Sequence, residues 1–501
     1  MRRVIVCCVV LLVVTTGGRC ARADLRGRID AALAGDDAQR MTVGVRVLEM
    51  PTGKVLYSLR AEQLFIPASN VKIVTTASAL HHLTPDFTFR TYLWADGTLG
   101  PDGTLRGDLV LQGDGDPNIS GRAHNDDITY LPRTWAQMLH KRGFRHVTGD
   151  LVADDTLFDR EYTCPSWPAN QLHRWYAAPV AGLNFNDGCV DVVITPTRDG
   201  QPARVTLQPD TRYFDLTHEL VTTSDASDAR RTGLFLTRAL GTNHIIVRGK
   251  IHTGDEPRRY YVSVHEPPLY LATVLREEMG RAGITVAGQV RLAKRGRARV
   301  ARGDPRVHII HSSSLRESIN VANKRSQSMY AEQILKRTGA ACYGTGSFET
   351  GTRAAGTFLE AAGIRRGSYV LADGGGLSRV SRLSPMQLTE VLRHAWNAPW
   401  GRDFVDSLAR SGIDKSLQKR LADAEYRGRI AAKTGTLDGV VTLSGYAFNR
   451  HGKVLAFSVL VNGCPSSGGA KRLEDTIAAM LVDRLTPPPA APDLESSLRP
   501  R

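Results

Sequence analysis

From Met41 to Leu48 the chain alternates apolar and polar side chains, which predicts a half-buried β-strand. A turn at Pro51-Thr52-Gly53 and the run Val55-Leu56-Tyr57 complete a hairpin. The period then changes. Behind Pro67 and Ala68, the residues Val71, Val74, Ala77 and Leu80 recur at three-residue spacing, the stripe of a buried helix that begins near Ser69. Far downstream, Ile430 to Thr436, Val440 to Phe448 and Val454 to Val461 read as three strands. Leu437-Asp438-Gly439 joins the first two, and Asn449-Arg450-His451-Gly452 joins the next two. Ile477, Ala478, Leu481 and Leu485 mark a helix over about residues 470–485. Two early strands, three late strands and a terminal helix predict one antiparallel five-stranded sheet built by both ends of the chain. A helical stretch from Ser312 to Lys336 lies between them.

The middle, residues 92–300, follows another pattern. It is rich in short strands and in turns such as Gly113-Asp114-Gly115-Asp116-Pro117 and Arg198-Asp199-Gly200, with few long helical patterns. It reads as a mostly-β insertion within the first unit. The predicted fold class is therefore α/β (α+β), a sheet with helices that carries a large insert. At about 150 residues per domain, 501 residues suggest roughly three domains. Hydrophobic residues at 42% and charged residues at 23% exclude a disordered or collagen-like chain. With 13 Phe, 14 Tyr and 6 Trp, the core must rest on aliphatic side chains.

Met1-Arg2-Arg3, an apolar run from Val4 to Val14 and Ala21-Arg22-Ala23 are the three components of a secretory signal peptide. The run is too short to cross a bilayer, which takes about 17–25 residues. An exported chain that starts near Asp24 is expected, without an integral membrane span. The formal net charge of +15 favours an acidic or polyanionic neighbourhood, and export makes nucleic acid an unsuitable partner. Cys7, Cys8 and Cys20 leave with the leader; Cys164, Cys189, Cys342 and Cys464 remain. Cys164 and Cys189 are the preferred disulfide pair, and four buried free thiols are the alternative. No C-x-x-C or H-E-x-x-H occurs, so neither motif offers a zinc site. Asp114-Gly115-Asp116-Pro117-Asn118 reads as a turn, since Asn125 stands where a calcium loop needs Glu. Lys294-Arg295-Gly296-Arg297-Ala298-Arg299 reads as a solvated surface run. The proline-rich tail from Pro487 to Pro492 is expected to be disordered.

Two short motifs carry candidate chemistry. Ser69-Asn70-Val71-Lys72 puts a hydroxyl and an amine on one face of a helix, about 5–6 Å apart at Cβ. Serine is a poor nucleophile until a neighbour removes its proton, and a lysine whose pKa is lowered by burial or a nearby cation can do so. Lys433-Thr434-Gly435-Thr436 lies on a predicted strand. Its lysine and threonines can hold a substrate carboxylate, and Gly435 leaves room for a substrate backbone.

Together the motifs resemble the penicillin-binding protein and serine β-lactamase superfamily. Further segments are similar to its low-molecular-mass class C branch, the serine D-Ala-D-Ala carboxypeptidase/endopeptidases. They are Ala322-Asn323-Lys324-Arg325-Ser326-Gln327-Ser328-Met329-Tyr330-Ala331-Glu332-Gln333, Asp373-Gly374-Gly375-Gly376-Leu377-Ser378-Arg379 and Leu383-Ser384-Pro385. Asp154-Asp155-Thr156-Leu157-Phe158 and Ala178-Pro179-Val180-Ala181-Gly182-Leu183-Asn184-Phe185-Asn186-Asp187 belong to the same resemblance. It implies Ser69 as acyl-forming nucleophile, Lys72 as its base and Ser326 as a proton relay to the leaving amine. It implies Lys433, Thr434, Gly435 and Thr436 as carboxylate and backbone binders, with the N–H groups of Ser69 and Thr436 as oxyanion hole. Asp155 and Arg379 would recognise an amine-bearing peptide side chain. The implied partners are peptidoglycan stem peptides, with β-lactams as covalent inhibitors; no metal or organic cofactor is implied.

The chain departs from the family at two points. The middle motif S-x-N is here Ser326-Gln327-Ser328, although Ser318-Ile319-Asn320 fits the bare pattern, and Gly375 stands where relatives carry serine. These departures leave room for a decayed wall-binding protein, and the fold also serves β-lactamases and esterases; intact Ser69, Lys72 and Lys433 favour an enzyme. The resemblance divides the chain into a leader (1–23), an N-terminal core segment (24–91) and an insert (92–187 and 254–300). A nested insert (188–253), a C-terminal core segment (301–485) and a tail (486–501) complete the division.

Overall fold

The computed structural model describes residues 25–483. The expected leader and tail, Leu485 and the three leader cysteines lie outside those residues. The first sheet has six strands: β1 (Thr42–Glu49), β2 (Lys54–Leu59), β3 (Ala409–Arg410), β4 (Ile430–Leu437), β5 (Val440–Phe448) and β6 (Val454–Asn462). Their order is β3-β4-β5-β6-β1-β2, all antiparallel, so the N-terminal hairpin shares one sheet with the C-terminal strands as expected. The short β3 is a sixth strand that two residues of sequence could not announce.

Every residue of β5 is buried, because both faces of the sheet are covered. The period-two rule sorts its side chains. Val441, Leu443 and Ala447 pack with Ile477 and Leu481 of the terminal helix Ser467–Val482. Tyr446 and Phe448 join a second core with Leu388, Leu392, Val74 and Leu80 on the opposite face. That second core holds helix α1 (Val71–Leu83), whose residues Val71 to Leu80 are all buried.

The insert contains a seven-stranded sheet in which Thr88–Leu99 pairs with Thr104–Gln112 and with Val307–Ser314. It therefore draws on residues outside 92–300. A three-stranded sheet pairs Cys189–Thr195 with Arg204–Gln208 and Arg258–Ser263, so it extends past the boundary expected at residue 253. Another joins Asp215–Thr223, Leu234–Arg238 and His244–His252. Two helices, Tyr130–Lys141 and Pro267–Arg281, pack Trp135, Leu139, Leu271 and Leu275 into this region. Prolines at Pro132, Pro267 and Pro268 sit in their first turns, where a missing N–H costs nothing, and so masked them in the sequence.

The expected disulfide does not form. Cys164, Cys189, Cys342 and Cys464 are free thiols. Cys164 donates to Ala372 O at 3.3 Å, whereas Cys189 faces Asp187 O at 3.7 Å at the start of its strand. Each buried thiol is turned to its own carbonyl. The basic run also differs from expectation: Lys294 and Arg295 are exposed, but Arg299 reaches inward to Gly113 O and Asp154. Among the described residues no helix is long and apolar enough to cross a membrane.

Candidate active site

Ser69 stands in the 3-10 turn Ala68–Asn70, which runs directly into α1. Ala68 has φ +45°, a left-handed conformation that costs a non-glycine residue about 1–3 kcal/mol and clusters at functional sites. Two glycines make room for this turn. A Cβ on Gly376 would lie 1.9 Å from Ala68 O, and one on Gly435 would lie 3.0 Å from Ser69 N and 2.2 Å from Thr442 Oγ1. Strand β4 and the loop at Gly376 thus press on the nucleophile turn from two directions.

One helical turn on, the fully buried Lys72 donates from Nζ to Ser69 Oγ at 3.1 Å, to Ser328 Oγ at 3.3 Å and to Gly375 O at 2.5 Å. Lys433, equally buried on β4, donates to Ser326 Oγ at 2.9 Å and to Thr434 O at 2.7 Å. Ser326 and Ser328 come from a break between helix α2 (Leu315–Lys324) and helix α3 (Ser328–Tyr343). Ser326 has φ +56° there. The kink sends the two hydroxyls of one tripeptide to different lysines: Ser328 to Lys72 and Ser326 to Lys433. The rival Ser318 is elsewhere. Its hydroxyl accepts from Asn118 Nδ2 at 2.8 Å and donates to Ser314 O at 3.0 Å.

Burial lowers the Lys72 pKa from 10.5 to about 8, against the opposing pull of Glu332 and Asp373. Burial, reinforced by the nearby Lys72, also takes Lys433 well below its ordinary value. Lys72 can therefore be neutral in part near physiological pH, with its Nζ within hydrogen-bond reach of Ser69 Oγ.

Glu332 is marked in the sequence only as a member of a longer similar segment, yet it organises this centre. It is fully buried, four residues after Ser328 on α3, and accepts from Gly374 N and Gly375 N at 2.7 Å each. Gly375 then offers its carbonyl to Lys72, so the carboxylate fixes the peptide that holds the base. The i, i+4 spacing from Ser328 was the available signal. The departure at Gly375 has a steric counterpart, since a Cβ there would lie 2.8 Å from Glu332 Oε1. Burial and the Asp373 charge raise the Glu332 pKa, while the two N–H bonds oppose the rise.

The remaining expected residues are placed unequally. Thr434 is half-buried, Thr436 is exposed at the end of β4, and Gly435 is buried between them. Arg379 is exposed and donates to Asp438 O at 2.9 Å, next to the β4–β5 turn. Asp155 has no exposed side-chain surface. Arg160 donates to its Oδ1 at 2.9 Å and Tyr162 to its Oδ2 at 3.0 Å. Its carboxylate is satisfied inside the insert, at the end of the strand Leu151–Asp154, and is not a free acceptor. Among the described residues no group of three or more metal-ligating side chains is gathered.

A model of the D-Ala-D-Ala carboxypeptidase 3 (S13) family matches residues 25–484 of the chain. The D-alanyl-D-alanine carboxypeptidase of an Actinomadura species is 33% identical over 473 residues, which are 92% of this chain and 85% of that one. D-alanyl-D-alanine carboxypeptidase DacB of Haemophilus influenzae is 24% identical over 84% of this chain and 85% of its own. The crystal structure of penicillin binding protein 4 (dacB) from Haemophilus influenzae superposes with a TM-score of 0.78 at 22% identity. That match covers 91% of this chain and 99% of the Haemophilus chain.

Proposed function

The chain belongs to the D-Ala-D-Ala carboxypeptidase 3 (S13) family, and on that premise we propose that it is an exported serine hydrolase of peptidoglycan stem peptides. It cleaves D-Ala-D-Ala bonds as a carboxypeptidase or endopeptidase, and β-lactams acylate the same serine. The observation that carries this reading is the position of the Lys72 amine, within hydrogen-bond reach of both Ser69 and Ser328.

The reaction has two steps. Neutral Lys72 takes the Ser69 proton as Oγ attacks the carbonyl carbon of the penultimate D-Ala. The N–H groups of Ser69 and Thr436 receive the developing oxyanion, a contribution of about 2.7–4 kcal/mol per donor in well-studied sites. The C–N bond then breaks as Ser326, bonded to Lys433, passes its proton to the departing amine, and the proton taken up by Lys72 replaces it, leaving Lys72 neutral again. Water then attacks the acyl-serine ester. The neutral Lys72 takes a proton from it and returns that proton to Ser69 Oγ as the ester C–O bond breaks, releasing the acid and the free serine. Lys433, Thr434 and Thr436 line the β4 edge where the substrate carboxylate binds, while the space at Gly435 is taken by the Ser69 turn and Thr442.

Incubation with labelled penicillin followed by peptide mapping tests the reading. Label is expected on Ser69, with Ser69→Ala unlabelled but folded by circular dichroism. Attachment at Ser318 or Ser326 would overturn the assignment.

A further inference from the structure

A cavity of about 540 Å³ opens beside the Ser326 kink, between the core and the insert. Its core wall carries Arg325, Gln327 and Lys415; its insert wall carries Arg122, Asp187 and the strand bearing Arg259 and Tyr261. The volume falls within the ~300–1,000 Å³ of pockets that enclose drug-sized ligands. A lone D-Ala leaving group, with six heavy atoms, would leave most of it empty.

The walls are held by internal pairs. Arg122 and Gln327 both donate to Asp187, the latter at 2.9 Å, and Arg259 pairs with Asp191 at 3.0 Å. Against that neutralised background two cations stand unused. Arg325 and Lys415 are exposed, and neither side chain makes a hydrogen bond or ion pair among the described residues. Two aromatic rings also face solvent, Trp175 at 39% and Tyr261 at 52% exposure. Gln327 is only 7% exposed, yet its buried Oε1 has no partner among the described residues, and neither does the buried Asp187 Oδ1. Such a wall offers charge for carboxylates and flat rings for aliphatic or peptide faces.

We propose that this cavity binds the peptide on the leaving side of the scissile bond, an acidic peptide of several residues whose carboxylates meet Arg325 and Lys415. The proposal rests on the hydrolase reading above and extends it. Gln327 lies between Ser326 and Ser328, so a peptide in this cavity keeps its amino end close to the Ser326 hydroxyl that protonates it. The cavity thereby favours cross-linked substrates, whose leaving group is a second stem peptide, over those that release only D-Ala.

Calorimetric titration tests the binding directly, using a synthetic acidic tetrapeptide with a free amino end as probe. Exposed ion pairs are modest, so Lys415→Ala and Arg325→Gln should each weaken binding about two- to fivefold, and Tyr261→Ala by a similar factor. Unchanged affinity in all three variants, or no binding to the wild-type protein, would overturn the proposal whatever the enzyme hydrolyses. Two substrates with the same acyl half, one releasing D-Ala and one releasing the tetrapeptide, provide the second readout. Lys415→Ala should lower kcat/KM for the long substrate alone; equal loss on both would also overturn it. Failure of wild-type protein to cleave either substrate or to take up penicillin would instead count against the hydrolase reading, and the titration reports independently of it.

Discussion

Lys72 can take the Ser69 proton only while its own amine is uncharged, and burial is what makes that state available. With its pKa lowered to about 8, the neutral fraction grows as pH rises toward and through that value. Penicillin acylation should therefore show an acid limb near pH 8 and a plateau above it. Glu332 and Asp373 favour the charged amine, while Lys433 faces Lys72 from β4 as a competing amine. Replacing Glu332 by Gln removes one stabilising carboxylate and one of two acceptors for the Gly374–Gly375 peptide. The acid limb should move to lower pH while the plateau falls; a lower plateau with an unmoved limb would reduce Glu332 to a packing role. Ser328→Asn tests the other departure. Restoring an amide adds about one neutral hydrogen bond, about 0.5–1.5 kcal/mol, or a twofold to twelvefold gain in kcat/KM on a D-Ala-D-Ala peptide. Loss of activity would show that the site has adapted to serine, with Gly375 and Ser328 having changed together. Ser69, Lys72 and Lys433 were legible because two short motifs, each weak alone, together with further segments resemble a known family. The burial of Asp155 was not, since Arg160 and Tyr162 find it through a loop whose path no periodicity reveals.

At the scale of elements, the strands of the core and helix α1 were readable from their periods, and their observed limits differ from the expected ones by a few residues. The stretch from Ser312 to Lys336 was readable only in its helical character. Apolar spacing predicts helix throughout, but the structure has a strand to Ser314 and two helices split at Ser326. Lys433 bonds the kinked Ser326 from a distant strand, and no glycine or proline stands at the break, so nothing in composition marks it. The helices of the insert stayed hidden for the opposite reason, because prolines that suit a first turn look like interruptions. Cysteine spacing misleads as well, since nearness in sequence says nothing about where two thiols point. Cys342 alone of the four is exposed. Alkylation of the native protein without reductant should therefore modify Cys342 rapidly and Cys164, Cys189 and Cys464 only after denaturation, with all four recovered as thiols. A Cys164–Cys189 linked peptide on non-reducing mapping would contradict the structure.

For the whole molecule, the deciding feature is the pairing of β1 with β6, which sets Thr42 opposite Asn462. Everything that supplies Ser326, Ser328, Glu332 and Lys433 is threaded between those two strands. During synthesis at about 5–20 residues per second, β1 waits on the order of tens of seconds for its neighbour to exist. Until then its hydrogen-bonding edge is open, a template for wrong partners that only the last strands can cover. Closing so long a loop is slow, and the reward comes only when the chain is complete. A chain broken off before Val454 would hold the serine and its lysine in sequence but lack the neighbouring strand of both β1 and β5. The core sheet thus acts as a check on completeness, and the hydrolase is assembled only in a finished chain.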